Sequence, residues 1–388
     1  MAVTLGSTRL LASGRLQGLR VGVVANPASV DRAFVHVVDR VRAAEDVTLG
    51  AIFGPQHGFR SDLQDNMIET PHGHDDARRV PVYSLYSETR EPTAAMLAGL
   101  DVLVVDLQDI GARIYTFIYT MANCLRAAAR HGVPVIVCDR PNPIGGVGVE
   151  GETLVSGFES FVGLFPIPMR HGLTIGELAR LFNDRFGIGA SLEVVPMEGW
   201  QRAHYADEAG APWVMPSPNI PTLDTAIVYP GAVLLEGTMA SEGRGTTRPF
   251  ELAGAPWVHP EAFADRLNAH GLPGVTFRAV MFEPTFQKHH GVPCGGCQVH
   301  VTDRSAFTPV VTGVALIEEL RRADPARFAW RPPPYEYEHR LMPIEILAGS
   351  SALRERIEAG ASAESVAQSW GADEEAFRAA RAPFLLYE

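Results

Sequence analysis

The segment RVGVVANP (residues 20–27) is a run of five small or branched apolar residues cut off by Asn26-Pro27. It does not alternate with polar residues, so it reads as a strand covered on both faces. Three more runs repeat the pattern, Val47–Phe53, Val102–Val105 and Val133–Val137, each ending in a polar or Gly/Pro-containing cluster. Between them, apolar residues at helical spacing cover Asp31–Arg42 (Phe34, Val37, Val38, Val41) and about Thr116–Arg130, where Gly132 stops the helix. Buried strands alternating with helices predict a Rossmann-like, doubly wound α/β domain with a mostly parallel sheet. Beyond about Tyr229 the pattern is less regular, and a Pro-rich stretch runs from Arg331 to Pro334. A second, smaller α+β domain is expected there, giving limits of 1–228 and 229–388.

The length of 388 residues suits two such domains. Against 33 basic residues stand 45 acidic ones, a net charge of −12 with no Lys/Arg-rich run. General nucleic-acid binding and anionic membrane surfaces are therefore excluded as partners, because both need clustered cations. No segment reaches the ~18 uncharged apolar residues of a spanning helix. The first twenty residues carry Arg9, Arg15 and Arg20 without the apolar core of an export leader, so a cytoplasmic protein is expected. Four cysteines do not make a disulfide framework. Oligomeric state is not set by these features.

Open α/β sheets bind ligands beyond the carboxyl ends of their strands. Asn26 follows the first run, Gln56 and His57 the second, Asp106, Gln108 and Asp109 the third, and Asp139, Arg140 and Asn142 the fourth. Such residues also cap helices and form turns, but four clusters at one edge point to a site. GVGVEG (146–151) spells a dinucleotide fingerprint, yet it follows a Pro-rich loop and opens no helix. No cofactor is expected. Cys294-Gly-Gly-Cys297, near His289, His290 and His300, offers zinc ligands. It lacks a second C-x-x-C, and its Gly-Gly pair predicts a hairpin turn, so no metal is expected. HGHDD (72–76) is expected to be a solvated loop. The segment LLEGTMASEGRGTTRPF (234–250) places Glu236, Glu242, Arg244 and Thr246 in a glycine-punctuated loop after an apolar run. In an extended loop Glu242 and Arg244 share one face.

Several segments together resemble the NamZ-like exo-β-N-acetylmuramidases, long classed as DUF1343. They are GPQHGFR (54–60), VPVYSLYSETREPT (80–93), DVLVVDLQDIGARIYT (101–116), DRPNPIGG (139–146), RHGLTIGELA (170–179), PSPNIPT (216–222) and residues 234–257. The resemblance runs in order over nearly the whole chain. It implies a glycoside hydrolase that removes terminal β-N-acetylmuramic acid, or a related acidic amino sugar, from peptidoglycan fragments. It also implies a site in the cleft between the two domains. Asn26, Asp106, Gln108, Asp109, Asn142, His171, Asn219, Arg244 and Thr246 are the substrate-binding candidates, with Arg140 or Arg170 for the lactyl carboxylate. Trp213 and Trp257 are candidate sugar platforms, although a core position is the commoner fate of tryptophan.

One position departs from the family. Many members carry Glu in G-P-E-H-G, a candidate catalytic carboxylate, where this chain has Gln56, which is neither acid nor base. Three readings stand. Another carboxylate supplies the proton, Glu242 ahead of Glu152, with His57 assisting. Alternatively, Gln56 holds the 2-acetamido group while that group attacks its own anomeric carbon. In the third, the protein binds muropeptides without cleaving them.

Overall fold

A computed structural model describes residues 3–64, 67–210 and 212–388. Seven strands form the main sheet: β1 (Arg20–Ala25), β2 (Thr48–Gly54), β3 (Gly73–Asp75), β4 (Val80–Ser84), β5 (Val102–Asp106), β6 (Val135–Cys138) and β7 (Leu192–Val195). Their order is β3-β4-β2-β1-β5-β6-β7, parallel throughout except for the antiparallel edge strand β3. Without β3 this is the 3-2-1-4-5-6 order of a doubly wound dinucleotide-type fold, and the winding reverses between β1 and β5.

The lack of alternation in the strands has a direct structural counterpart. Val21, Val23, Val102 and Val104 face one side, packing with Val37, Val38 and Val41 of the helix Val37–Ala43. Val24, Leu103 and Val105 face the other, packing with the largely buried helix Phe117–His131. Gly132 ends that helix in the left-handed conformation, at φ 69°, which glycine adopts without steric cost.

The second part carries a three-stranded antiparallel sheet, β8 (Leu252–Ala255), β9 (Val275–Phe282) and β10 (Cys294–Val301), with β10 in the middle. Helices Leu223–Ala232 and Pro309–Ala323 meet at Gly231 and Gly313. A Cβ on Gly231 would run into the Pro309 carbonyl, and one on Gly313 into the carbonyl of Gly231. The fold class matches the sequence reading. The core itself is continuous across both parts, and the last helix, Gly371–Arg381, returns to the first. Arg381 donates to the carbonyls of His171 and Gly172 at 2.8 Å, and the Leu386 amide to Glu177 at 2.8 Å. The Tyr387 hydroxyl donates to Asp139 at 2.5 Å. Among the described residues no helix is long and apolar enough to cross a membrane.

Three local expectations need correction. The helix drawn over Asp31–Arg42 begins only at Val37. Asp31 accepts from the amides of Ala33 and Val35 at 2.9 and 3.0 Å, folding residues 31–36 into a loop that leaves Phe34 exposed at φ 60°. The HGHDD segment is the edge strand β3, and Asp75 is buried against Arg78 at 2.7 Å. Gly295 and Gly296 lie inside β10 and form no turn. Strand alternation sends the side chains of Cys294 and Cys297 to opposite faces, so the pair cannot share a metal ion.

Replacing Gly231 by Ala overpacks the helix crossing and is expected to cost at least about 2 kcal/mol. A chemical or thermal melt checks this, and an unchanged midpoint would show that the helices do not meet there.

Candidate active site

A cleft opens between the two parts and draws lining residues from both. Gln56 and His57 come from the turn after β2, and Ile114–Phe117 from the long loop after β5. Ser217 and Asn219 come from the segment ahead of helix Leu223–Ala232. Glu236, Arg244, Tyr335 and Glu336 come from the second part.

Two carboxylates meet in this cleft under different conditions. Glu236 lies on a short 3-10 helix, Val233–Gly237, and is buried. Arg244 pairs with one of its oxygens at 2.8 Å, and the Tyr335 hydroxyl donates to the other at 2.8 Å. Burial alone would weaken the charge of Arg244, but Glu236 and Glu242 outweigh it and keep the guanidinium firmly protonated. Glu336 is also buried, and among the described residues no cation forms an ion pair with it. The Tyr86 hydroxyl donates to its Oε2 at 2.9 Å, and Gln56 Nε2 reaches its Oε1 at 3.5 Å. Burial, reinforced by the Glu236 charge, pushes the Glu336 carboxyl above its ordinary range, against the pull of Tyr86, Gln56 and Arg244.

The backbone that presents Glu336 is strained. Tyr335 and Glu338 exchange both backbone hydrogen bonds at 2.9 Å, closing a two-residue turn. Its central residues, Glu336 and Tyr337, sit at φ 46° and 68°, a conformation that normally selects Asn or Gly. Each such residue costs roughly 1–3 kcal/mol and persists only where its surroundings hold it. Here the holders are Tyr86 and Gln56 on the carboxyl, Met67 on the Glu336 amide, and the Arg90 guanidinium. The last stacks 4.1 Å from the Tyr86 ring and 5.1 Å from that of Tyr337.

Gln56 is fixed from its other end, since its Oε1 accepts the Thr116 hydroxyl at 2.8 Å. Its amide therefore points its NH₂ group at Glu336. The His57 ring has Nδ1 at 2.7 Å from the Leu63 carbonyl, so Nδ1 carries the proton there. Asn219 donates to the Gln64 carbonyl at 3.0 Å.

The remaining sequence candidates lie elsewhere. Glu242 does not line the cleft. It is buried against Lys288 at 2.8 Å, and that lysine also donates to the carbonyls of Leu235 and Ala240 at 2.9 Å. Burial would raise its pKa, but Lys288 and Arg244 outweigh burial and hold it below the usual range, so it carries no proton to give near neutrality. Gly243, at φ 80°, bends the chain between Glu242 and Arg244, so the extended geometry that puts the two on one face does not form. Glu152 accepts from Ser350 at 2.6 Å, outside the cleft. Thr246 is bonded within its own loop, to the Gly243 carbonyl at 2.5 Å.

The strand-edge cluster is mostly scaffold. Arg140 clamps Asp106 with bonds of 2.6 and 3.1 Å. Asn26 accepts from the Gln108 amide at 3.2 Å, and the Gln108 side chain donates to the Asp109 and Pro141 carbonyls at 2.8 and 3.0 Å. Asn142 bridges the Leu173 carbonyl and the Ile144 amide at 3.0 and 3.1 Å. Arg170 donates to the Ile144 carbonyl at 2.7 Å. Asp109 and His171 are buried 3.7 Å apart; burial pushes the first up to about 7 and the second down to about 3. Trp257 packs at the margin of the core, and Trp213 lines a separate cavity.

The family profile described as exo-β-N-acetylmuramidase NamZ, N-terminal, matches residues 21–224, and its C-terminal counterpart matches residues 227–387. The chain belongs to the NamZ exo-β-N-acetylmuramidase family. Within the NamZ family it is similar to the peptidoglycan β-N-acetylmuramidase NamZ of Bacillus subtilis (strain 168). The two are 45% identical over 373 residues, covering 96% of this chain and 88% of that protein. Two solved DUF1343 family proteins from Bacteroides fragilis NCTC 9343 superpose over 100% of this chain and 99% of theirs. Their TM-scores are 0.90 at 35% identity and 0.77 at 26%. Of the NamZ-like segments, DRPNPIGG and RHGLTIGELA supply mainly scaffold. Asp139 accepts from Thr174 and from the Gly176 amide, both at 2.8 Å, and Thr174 caps the helix Ile175–Arg185 together with Glu177. Glu336 escaped the sequence reading. Its only local signal was an acidic residue between two tyrosines, Tyr335-Glu336-Tyr337, straight after the proline run.

Replacing Glu242 by Gln strands a buried lysine and is expected to cost about 3–5 kcal/mol of stability near neutrality. Because the folded-state pKa of Glu242 is depressed, its contribution is present above the unfolded carboxyl value and is lost as pH falls through the folded one. Urea midpoints of wild type and variant should therefore stay apart near neutrality and converge as pH falls from the unfolded carboxyl value through the lower folded one. A gap that stays constant would show that the charge does not stabilise the fold.

Proposed function

We propose that this chain is an exo-acting glycosidase that removes terminal β-N-acetylmuramic acid from peptidoglycan fragments, with Glu336 as its general acid. The observation that carries the residue assignment is the pair of buried cleft carboxyls held in opposite ways. Arg244 forms an ion pair with Glu236, whereas Glu336, among the described residues, has only neutral hydrogen-bond donors and an elevated pKa. A buried carboxyl inclined to keep its proton, set beside one that is ion-paired, suits the acid of such a pair.

Glu336 protonates the glycosidic oxygen as the bond to the anomeric carbon breaks. One oxygen of Glu236 is ion-paired and the other hydrogen-bonded, which makes it a poor nucleophile but a good fixed charge. It accepts the N–H of the substrate's 2-acetamido group and stabilises the positive charge as the acetamido oxygen closes onto the anomeric carbon. Water then opens that ring, giving its proton to the Glu336 carboxylate, and the configuration is retained. Gln56 positions Glu336 through its NH₂ group, so no carboxylate is needed at its position. Arg244 replaces Arg140 and Arg170 as the partner of the lactyl carboxylate. It lines the cleft, and its buried Nε lacks a hydrogen-bond partner among the described residues. A cytoplasmic location, the expectation from the sequence, suits a substrate of fragments already freed from the wall.

The test is release of N-acetylmuramic acid from a chromogenic β-N-acetylmuramide and from the MurNAc-GlcNAc disaccharide. Glu336→Gln is expected to lower kcat by about 10²–10⁴-fold; full retention would remove it as the acid. In the wild type kcat should fall as pH rises through the elevated pKa of Glu336. Gln56→Glu adds a negative neighbour and should move that limb to higher pH. Binding without release by the wild type would favour a non-catalytic sugar-binding protein. Inversion at the anomeric centre would exclude the acetamido route.

A further inference from the structure

The reversal point between β1 and β5 holds a second cavity, and its lining shares no residue with the cleft. Ala28 and Val30 after β1, and Pro141 and Pro143 after β6, give it apolar walls. Trp213 closes one side. Its indole Nε1 is shut off from water and has no hydrogen-bond partner among the described residues. A buried donor left unpaired in this way calls for an acceptor.

The charges around this cavity are unequal. Asp106 behind it is neutralised by Arg140 at 2.6 Å. Asp31 at the rim is met by Arg40 at 3.4 Å and by the Ala33 and Val35 amides. Arg32, also at the rim and exposed, donates to the Ala209 carbonyl at 3.2 Å. Among the described residues it has no carboxylate within ion-pair distance. The cavity thus offers an apolar wall of ring size, one indole donor and one uncommitted cation. A pyranose bearing a carboxylate satisfies all three. Its C–H face lies on the tryptophan and prolines, a ring oxygen or amide oxygen accepts the indole N–H, and its carboxylate meets Arg32.

We propose that this cavity is a second site for an acidic sugar, separate from the cleft; the choice of sugar rests on the muramidase reading above. Such a sugar can arrive as free product or as a further acidic residue of a longer glycan whose end occupies the cleft. Residues 212–220 join the two places, with Trp213 in the cavity and Ser217 and Asn219 in the cleft. Asn26 pins this segment to the sheet edge through the Pro216 carbonyl at 3.1 Å.

Titration calorimetry of the full chain with free N-acetylmuramic acid tests the proposal. Two equivalents are expected for the wild type and one for Trp213→Ala. Arg32→Gln, at an exposed position that the fold tolerates, should weaken the second equivalent at least about tenfold. N-acetylglucosamine, which lacks the carboxylate, should do no better at that site in the wild type. The source is read from kinetics. For the product, added free sugar should slow the wild type beyond simple competition, and Arg32→Gln should restore simple competition. For a longer chain, the KM of a MurNAc-terminated tetrasaccharide should rise more in Arg32→Gln than that of the disaccharide. One equivalent in the wild type, or two undiminished equivalents in both variants, overturns the proposal. Release from the chromogenic monosaccharide reports on the cleft alone, so a failed muramidase reading and a failed second site give different results.

Discussion

A sheet edge buried under loops must pair its own polar groups, because no water is there to do it. The Asp106–Arg140 clamp is the clearest case: two charges withdrawn from solvent, each answering the other at the carboxyl ends of β5 and β6. Asn26, Gln108 and Asn142 then tie the neighbouring loops through backbone groups. The scaffold consumes these side chains, and what it holds still is the chain that leads to the cleft. The loop from Asp109 to Thr116 ends on the hydroxyl that orients Gln56. Burial of polar groups thus acts twice. Where pairing is complete it makes a rigid base, and where it is deliberately incomplete, at Glu336, it leaves a carboxyl inclined to keep its proton.

Much of the architecture was legible because the hydrophobic effect writes itself plainly into central strands. RVGVVA and DVLVV lack alternation since both of their faces are covered, and the helix after Thr116 is buried on nearly every side. Features decided by a few hydrogen bonds were not legible. Asp31 folds its own segment away from helix, and the Gly-Gly pair that resembled a turn serves a strand whose neighbours approach too closely for a side chain. The candidate site divided along the same line. Gln56, His57, Asn219 and Arg244 do line the cleft, whereas Glu242 does not, because left-handed Gly243 turns the chain between Glu242 and Arg244. Residue type marks a group as capable of chemistry, but only its tertiary partners decide whether it is available.

On the proposed assignment of Glu336 as the acid, its surroundings make a carboxylate at the Gln56 position unnecessary. An amide there donates to Glu336 without competing for its proton, and Tyr86 supplies a second neutral donor. Glu336 is held by geometry, in a turn whose backbone would relax if those contacts were removed. Stability has been conceded locally so that one carboxyl stays in place.

The return of residues 381–387 to the first part makes that part dependent on chain far downstream of its own strands. Arg381, Leu386 and Tyr387 close over Gly172, Glu177 and Asp139. Without them Asp139 would lose its tyrosine donor and the Gly172 carbonyl the Arg381 guanidinium, polar groups that burial leaves little chance to satisfy with water. The two halves are therefore not interchangeable modules: a graft that moved the first part alone into another protein would carry these buried acceptors short of a donor, however well its own strands assembled.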